Sequence, residues 1–236
     1  MCVILVMEKG RLTEQELQNA WRANPHGAGI VIRGHGGLTV YRGIAKMQNL
    51  IDVYATIPDV PHLLHTRLAT VGGISPQLTH PMVISRTSPV DVMRVVDDRH
   101  AWLVHNGHVT DWETLGVTAL CHGARFKGPT SDTRILAALV AIAGPQVLAI
   151  LDATAVISRP GSFVKYGSTW SILRDGIYQS NRLWSYNAMT YTVSDGVWQG
   201  VCNEQYKKGG PITKWLDKNR AAIEEGKTDV EGETQW

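Results

Sequence analysis

The chain has 236 residues, 44% of them hydrophobic, with Lys+Arg 23 against Asp+Glu 21 and a formal net charge of +2. That length buries a sizeable core in one large domain or two small ones. The near-neutral balance, with no basic block, excludes nucleic acid as a main partner, because phosphate binding requires clustered positive charge. Cys2, Cys121 and Cys202 form neither a CxxC pair nor a disulfide framework, which suits a reducing cytoplasm. No run approaches the roughly 18 apolar residues of a membrane helix, and the opening MCVILVMEKG lacks the basic flank of a signal peptide, so no membrane role is expected.

Cys2 to Met7 is a continuous apolar run of strand length, closed by Glu8-Lys9-Gly10. Thr13-Glu14-Gln15-Glu16 is a capping box and opens a helix to about Ala23, with Leu17, Ala20 and Trp21 on one face. Ala28 to Arg33 and Leu38 to Arg42, joined by Gly34-His35-Gly36-Gly37, predict a hairpin. A second helix is expected over about Ala45 to Ala55, then an extended His62 to Ala69 and a long loop from Gly72 through Pro81. Ala101 to His105 predicts a short strand ending on the turn Asn106-Gly107. Pro129-Thr130-Ser131-Asp132 caps a helix whose apolar face carries Ile135, Leu136, Leu139, Val140 and Ala143.

Beyond Pro145 the segments VLAIL, TAVIS, SFVKY, TWSIL and GIYQS read as short strands of an antiparallel meander. From about Asn203 the composition turns polar, with a peripheral amphipathic helix expected over Pro211 to Glu225. The expected division is a domain over 1–202 and a polar helix and tail over 203–236. Strands, then helices, then strands again predict layered α+β architecture.

Four local features carry chemistry. Removal of Met1 would leave Cys2 with a thiol and a free α-amine, whose pKa values of about 8.5 and about 7.7–8.0 permit proton exchange near neutrality. A small buried strand residue is the plainer reading of Cys2. Arg67, among apolar strand residues, needs a counter-charge, either a bound carboxylate or an internal Asp or Glu. Asn106 and the Gly107 N–H can point together at a developing oxyanion, or simply form a turn. Asp132 can bind an ammonium group or cap the helix that follows, and Thr130 or Ser131 can take the capping duty instead. The histidines show no HExxH and no Cys/His cluster of ligand spacing, so no metal is expected; on a strand, His62 and His65 would point to opposite faces.

The order of these features resembles the class II glutamine amidotransferase domain. The shared run is Cys2, Ala28-Gly29-Ile30, His65-Thr66-Arg67-Leu68-Ala69-Thr70, His80-Pro81, His105-Asn106-Gly107 and Ser131-Asp132-Thr133. The resemblance covers about the first 145 residues and, more loosely, the strands after them. It implies a four-layer α/β/β/α sandwich of two antiparallel sheets, the fold of the N-terminal-nucleophile (Ntn) hydrolases. It implies Cys2 as nucleophile with its α-amine as base, and Asn106 with Gly107 as oxyanion hole. Arg67 would take the α-carboxylate of glutamine and Asp132 its α-ammonium, with Thr70 and His80 as further substrate-binding residues and no cofactor. The sequence departs from the family at Asn24-Pro25-His26-Gly27, at Leu68 and at Arg134, and the first of these looks like the stand-alone members.

The implied reaction is hydrolysis of the side-chain amide of glutamine through a γ-glutamyl thioester, in the cytoplasm. The partners it implies are glutamine or a γ-glutamyl amide and a separate ammonia-accepting synthetase subunit, with a homo-oligomer also open. Trp184, Trp198 and Trp215 either anchor a partner or pack in the core. Two alternatives stay open: hydrolysis of another γ-glutamyl or peptide-like amide, and a non-catalytic binding or assembly protein that has kept the fold.

Overall fold

Residues 2–92 and 94–184 are described by the structure, a computed structural model. In chain order the elements are β1 (Val3–Met7), α1 (Glu14–Ala23), β2 (Ala28–Gly34), β3 (Gly37–Ile44), α2 (Met47–Ala55) and β4 (His62–Thr66). Then come β5 (Met82–Val83), β6 (Arg94–Asp97), β7 (Trp102–Asn106), α3 (Trp112–Cys121), α4 (Asp132–Ala143) and α5 (Gln146–Ile150). The last are β8 (Thr154–Arg159), β9 (Ser162–Tyr166), β10 (Ser171–Arg174) and β11 (Ile177–Gln179).

The strands form a seven-stranded sheet, β10-β11-β1-β4-β2-β3-β6, and a four-stranded sheet, β5-β7-β8-β9. Each described strand pair is antiparallel. Three apolar layers hold the stack together. Val3, Leu5 and Met7 of β1 pack outward with Leu17 of α1 and Leu50 of α2. Ile4 and Val6 pack inward, with Val31 and Leu63, against Trp102 and Val156 of the second sheet. Leu103 and Ile157 pack on that sheet's other face with Leu115 of α3 and Leu136 of α4. The result is the four-layer α/β/β/α sandwich. Because β1 is covered on both faces, its sequence is apolar at every position rather than alternating.

Local chemistry sets the expected elements. The Glu16 N–H donates to Thr13 Oγ1 at 3.2 Å, and the Thr13 N–H donates to Glu16 Oε2 at 2.7 Å, closing the capping box. Gly34 pairs with Gly37, which leaves His35-Gly36 as a two-residue hairpin loop. Ser131, not Asp132, caps α4, its hydroxyl accepting from the Arg134 N–H. Among the described residues, no helix is long and apolar enough to cross a membrane.

Three expectations need correction. VLAIL is helical, within and just after α5: Pro145 starts the helix, and Val147, Leu148 and Leu151 are buried at helical spacing. The late strands are not one meander, because β8 and β9 close the small sheet while β10 and β11 join the large one beside β1. The strand over His62 to Ala69 ends at Thr66, although Arg67 still exchanges backbone hydrogen bonds with His26 and Gly27. Helix α3 escapes the sequence reading because its exposed Val117 and Leu120 blur any apolar stripe. Trp184 belongs to the core, at 2% exposure. Cys202, Trp198, Trp215, the helix over Pro211 to Glu225 and the boundary at 202 lie outside the described residues.

Candidate active site

Two-residue periodicity decides which side chains meet. Val3 pairs with Thr66 and Ile4 with His65, so Cys2 and Arg67 occupy the next inward-facing register beside them. Thr66 points outward instead, donating from Oγ1 to Ala20 O at 3.1 Å. His62 also points outward, its Nε2 2.8 Å from Tyr54 Oη, whereas the His65 ring faces inward with its centroid 4.1 Å from that of His80. The two histidines three apart therefore diverge as the strand pattern predicts.

Gly29 explains how His80 gets there. It sits opposite His65 on β2, and a Cβ at this position would lie 1.9 Å from the His80 carbonyl oxygen. The absence of a side chain lets the His80-Pro81 segment cross β2 and press its ring onto His65. The His80 ring nitrogen Nδ1 also accepts from the His105 N–H, at 3.5 Å.

Cys2 is buried at the head of β1, with Sγ 3.3 Å from the Leu68 N–H and 3.4 Å from the Leu68 carbonyl. Burial pushes its thiol pKa up, against the smaller opposing pulls of the Leu68 backbone and the Arg67 charge. Arg67 donates from Nη2 to Val71 O and from Nη1 to Gly73 O, both at 2.8 Å. No acidic side chain among the described residues forms a salt bridge with it, so the guanidinium closes on two carbonyls of its own loop. Burial lowers its pKa, with Cys2 and Asp132 pulling the other way.

Asp132 opens α4 and is buried. Its Oδ2 accepts from the Val109 N–H at 3.1 Å and its Oδ1 from the Thr133 N–H at 2.8 Å. His108 Nδ1 lies 3.8 Å from the same carboxylate. His105 turns toward α4, with Nδ1 3.2 Å from Thr133 Oγ1, and so ties the end of β7 to the start of that helix. Asn106 and Gly107 follow directly. Gly107 has φ +129°, a backbone conformation open to glycine and strained for other residues. Asn106 donates from Nδ2 to Ser180 Oγ at 3.0 Å, and its Oδ1 has no hydrogen-bond partner.

Cys2, Arg67, Thr70, His80, Gly107 and Asp132 line one pocket. Asn106 borders a larger adjoining cavity that also reaches Gly107. The Cys2 pocket, which Leu68 and Val71 also line, has room for about 10 Å³, roughly one water. The arrangement thus brings together a thiol, a guanidinium, a carboxylate and a glycine amide within one small recess.

No family profile and no curated protein sequence matches the chain. Solved structures do. Glutamine phosphoribosylpyrophosphate amidotransferase from B. subtilis, complexed with ADP and GMP, aligns with a TM-score of 0.54 at 18% identity over 76% of this chain. The structure of the allosteric regulatory enzyme of purine biosynthesis aligns with the same TM-score at 19% identity, again over 76%. The chain shares its fold with these two structures. The chain spans 41% of the length of each matched protein.

Sequence reasoning missed the residues that brace the recess from beyond β11. Ser180 Oγ accepts from the Ile4 N–H at 2.9 Å as well as from Asn106, and the Ser180 N–H donates to Ile4 O at 3.0 Å. Asn181 Nδ2 donates to the Cys2 carbonyl at 2.6 Å. Ser180-Asn181 carries no motif, and only the pairing of β11 with β1 brings it to the site. His26 was noted only as a departure from the family, yet its Nδ1 accepts from the Ala69 N–H at 2.9 Å and steadies the turn after Arg67.

Proposed function

We propose that this chain is a glutamine amidotransferase-type amidohydrolase in which Cys2, freed by removal of Met1, attacks the side-chain amide of glutamine. The observation that carries the reading is the single pocket shared by Cys2, Arg67, Gly107 and Asp132. The likeness in fold to the two solved enzymes supports it.

With Met1 attached, the nitrogen of Cys2 is an amide and has no basic lone pair. Once Met1 is gone, the α-amine adjoins a thiol whose ionisation burial disfavours, and it supplies the general base on the nucleophile's own residue. Glutamine enters with its α-carboxylate taking the Arg67 fork from the Val71 and Gly73 carbonyls, and its α-ammonium on Asp132. Thr70 and His80 line the same space and contact the substrate. The thiolate attacks the amide carbon, and the oxyanion is met by the Gly107 N–H and the Asn106 side-chain amide. The α-ammonium protonates the leaving nitrogen, ammonia departs, and water cleaves the γ-glutamyl thioester. When glutamine is the substrate, the ammonia passes to an acceptor, a separate synthetase subunit. The domain so assigned runs over 1–202, with 203–236 as its polar extension, and the reaction is assigned to the cytoplasm.

Purified protein whose intact mass shows loss of one methionine should release glutamate from glutamine, and Cys2→Ala should abolish it. Equal turnover by the alanine variant, or full activity with Met1 retained, refutes the reading.

A further inference from the structure

On the far side of Gly107 from Cys2 lies an open cavity of about 560 Å³. Its floor is polar and buried: Asn106, Thr154 and Ser180 are at 7%, 6% and 1% exposure. Its rim carries hydroxyls from Thr169 and Ser171 and the charged side chains of Asp152 and Arg182. The volume lies within the roughly 300–1,000 Å³ of pockets that hold organic ligands. Ammonia leaving from glutamine needs no such room. A substituent on the amide nitrogen does.

Two features connect this cavity to the chemistry. Gly107 lines both spaces, so a group bound to the reacting carbon at Cys2 has only one residue to pass before reaching the cavity. Asn106, which meets the oxyanion in the reading above, lines the cavity directly before Gly107, with its amide nitrogen held by Ser180.

We infer that the cavity receives the amine half of a γ-glutamyl amide, and that the favoured amine bears a carboxylate, as an amino acid does. This rests on the Cys2 reading above. The glutamyl half stays on Arg67 and Asp132, the amide carbon lies between Cys2 and Gly107, and the amine substituent extends past Gly107 toward Arg182. Sulfur bonds to the carbonyl carbon as the carbon–nitrogen bond breaks. The proton that the α-amine took from the thiol passes to the leaving nitrogen, and the free amine departs through the cavity. Water then adds its oxygen to the acyl carbon and returns a proton to sulfur. One γ-glutamyl amide and one water give glutamate and one amine, with no acceptor required.

The test compares kcat/KM of the Met1-free protein on glutamine, γ-glutamylalanine and γ-glutamylethylamide. γ-Glutamylalanine should exceed both others by about tenfold or more. Thr169→Trp, which fills the cavity, and Arg182→Gln, which removes the charge, should each lower the γ-glutamylalanine-to-glutamine ratio by about tenfold. Labelling by the electrophile 6-diazo-5-oxo-norleucine runs in parallel. If Cys2 is labelled and glutamine is hydrolysed at least as well as the dipeptide, or if neither variant moves the ratio, the inference is overturned and the Cys2 reading stands. If Cys2 is not labelled and none of the three substrates is hydrolysed, the Cys2 reading falls and this inference with it.

Discussion

Lowering the pH should destabilise this fold through His65, and the size of the effect follows from where the ring sits. His65 is fully buried, faces His80, and has neither ring nitrogen in a hydrogen bond, the His105 backbone lying outside bonding geometry. Burial, with the positive charge of Arg67 and His105 behind it, lowers its pKa to about 3. In the unfolded chain the same ring titrates near about 6.5. Between those values the unfolded state holds the extra proton, so the stability that is fully present above about pH 6.5 is lost as the pH falls toward 3. At pH 5 the folded ring is still neutral, and unfolded-state protonation alone removes about 2 kcal/mol.

His80 and His105, buried beside it and lowered for the same reason, act in the same direction. The substitution His65→Leu deletes one of these contributions. Urea unfolding of parent and variant from pH 8 to pH 5 should therefore show the variant gaining about 2 kcal/mol on the parent as the pH falls. Parallel stability curves across that range would refute the argument.

Gly29→Ala should cost about 3 kcal/mol or more, because its Cβ meets two main-chain oxygens, His80 O at 1.9 Å and Tyr41 O at 2.9 Å. A thermal melt indistinguishable from the parent's counts against that packing. Ser180→Ala strips the acceptor from two buried donors, Ile4 N–H and Asn106 Nδ2, and should cost about 1–3 kcal/mol in stability. In the amidase assay it should lower kcat with little change in KM, since in the proposed reaction the group it positions faces the oxyanion and not the glutamyl backbone; an equal loss in both parameters speaks against the role.

Much of the fold was legible because the signals are local. The Thr13 capping box, the His35-Gly36 loop and the cap of α4 are each settled within a few residues. Apolar segments with two equally buried faces were harder, since a run such as Val147 to Leu151 fits a core strand or a core helix until its neighbours are known. In the candidate site, Cys2, Arg67, Gly107 and Asp132 stand out because each sits in a short stretch where backbone geometry and side-chain chemistry coincide. Ser180 does not, because its partner Ile4 is 176 residues away and the meeting depends on sheet order.

The Arg67 guanidinium, closed on the carbonyls of Val71 and Gly73, has a consequence for selectivity. Those contacts hold the turn shut over a recess with room for about one water, and only a competing anion of similar geometry can trade for them. For the proposed reaction, the free α-carboxylate is then a key as well as a handle. Glutamine residues inside polypeptides have that carboxylate tied up in a peptide bond, so they cannot release the turn. An enzyme locked in this way would leave the side chains of surrounding proteins untouched while it consumed the free metabolite.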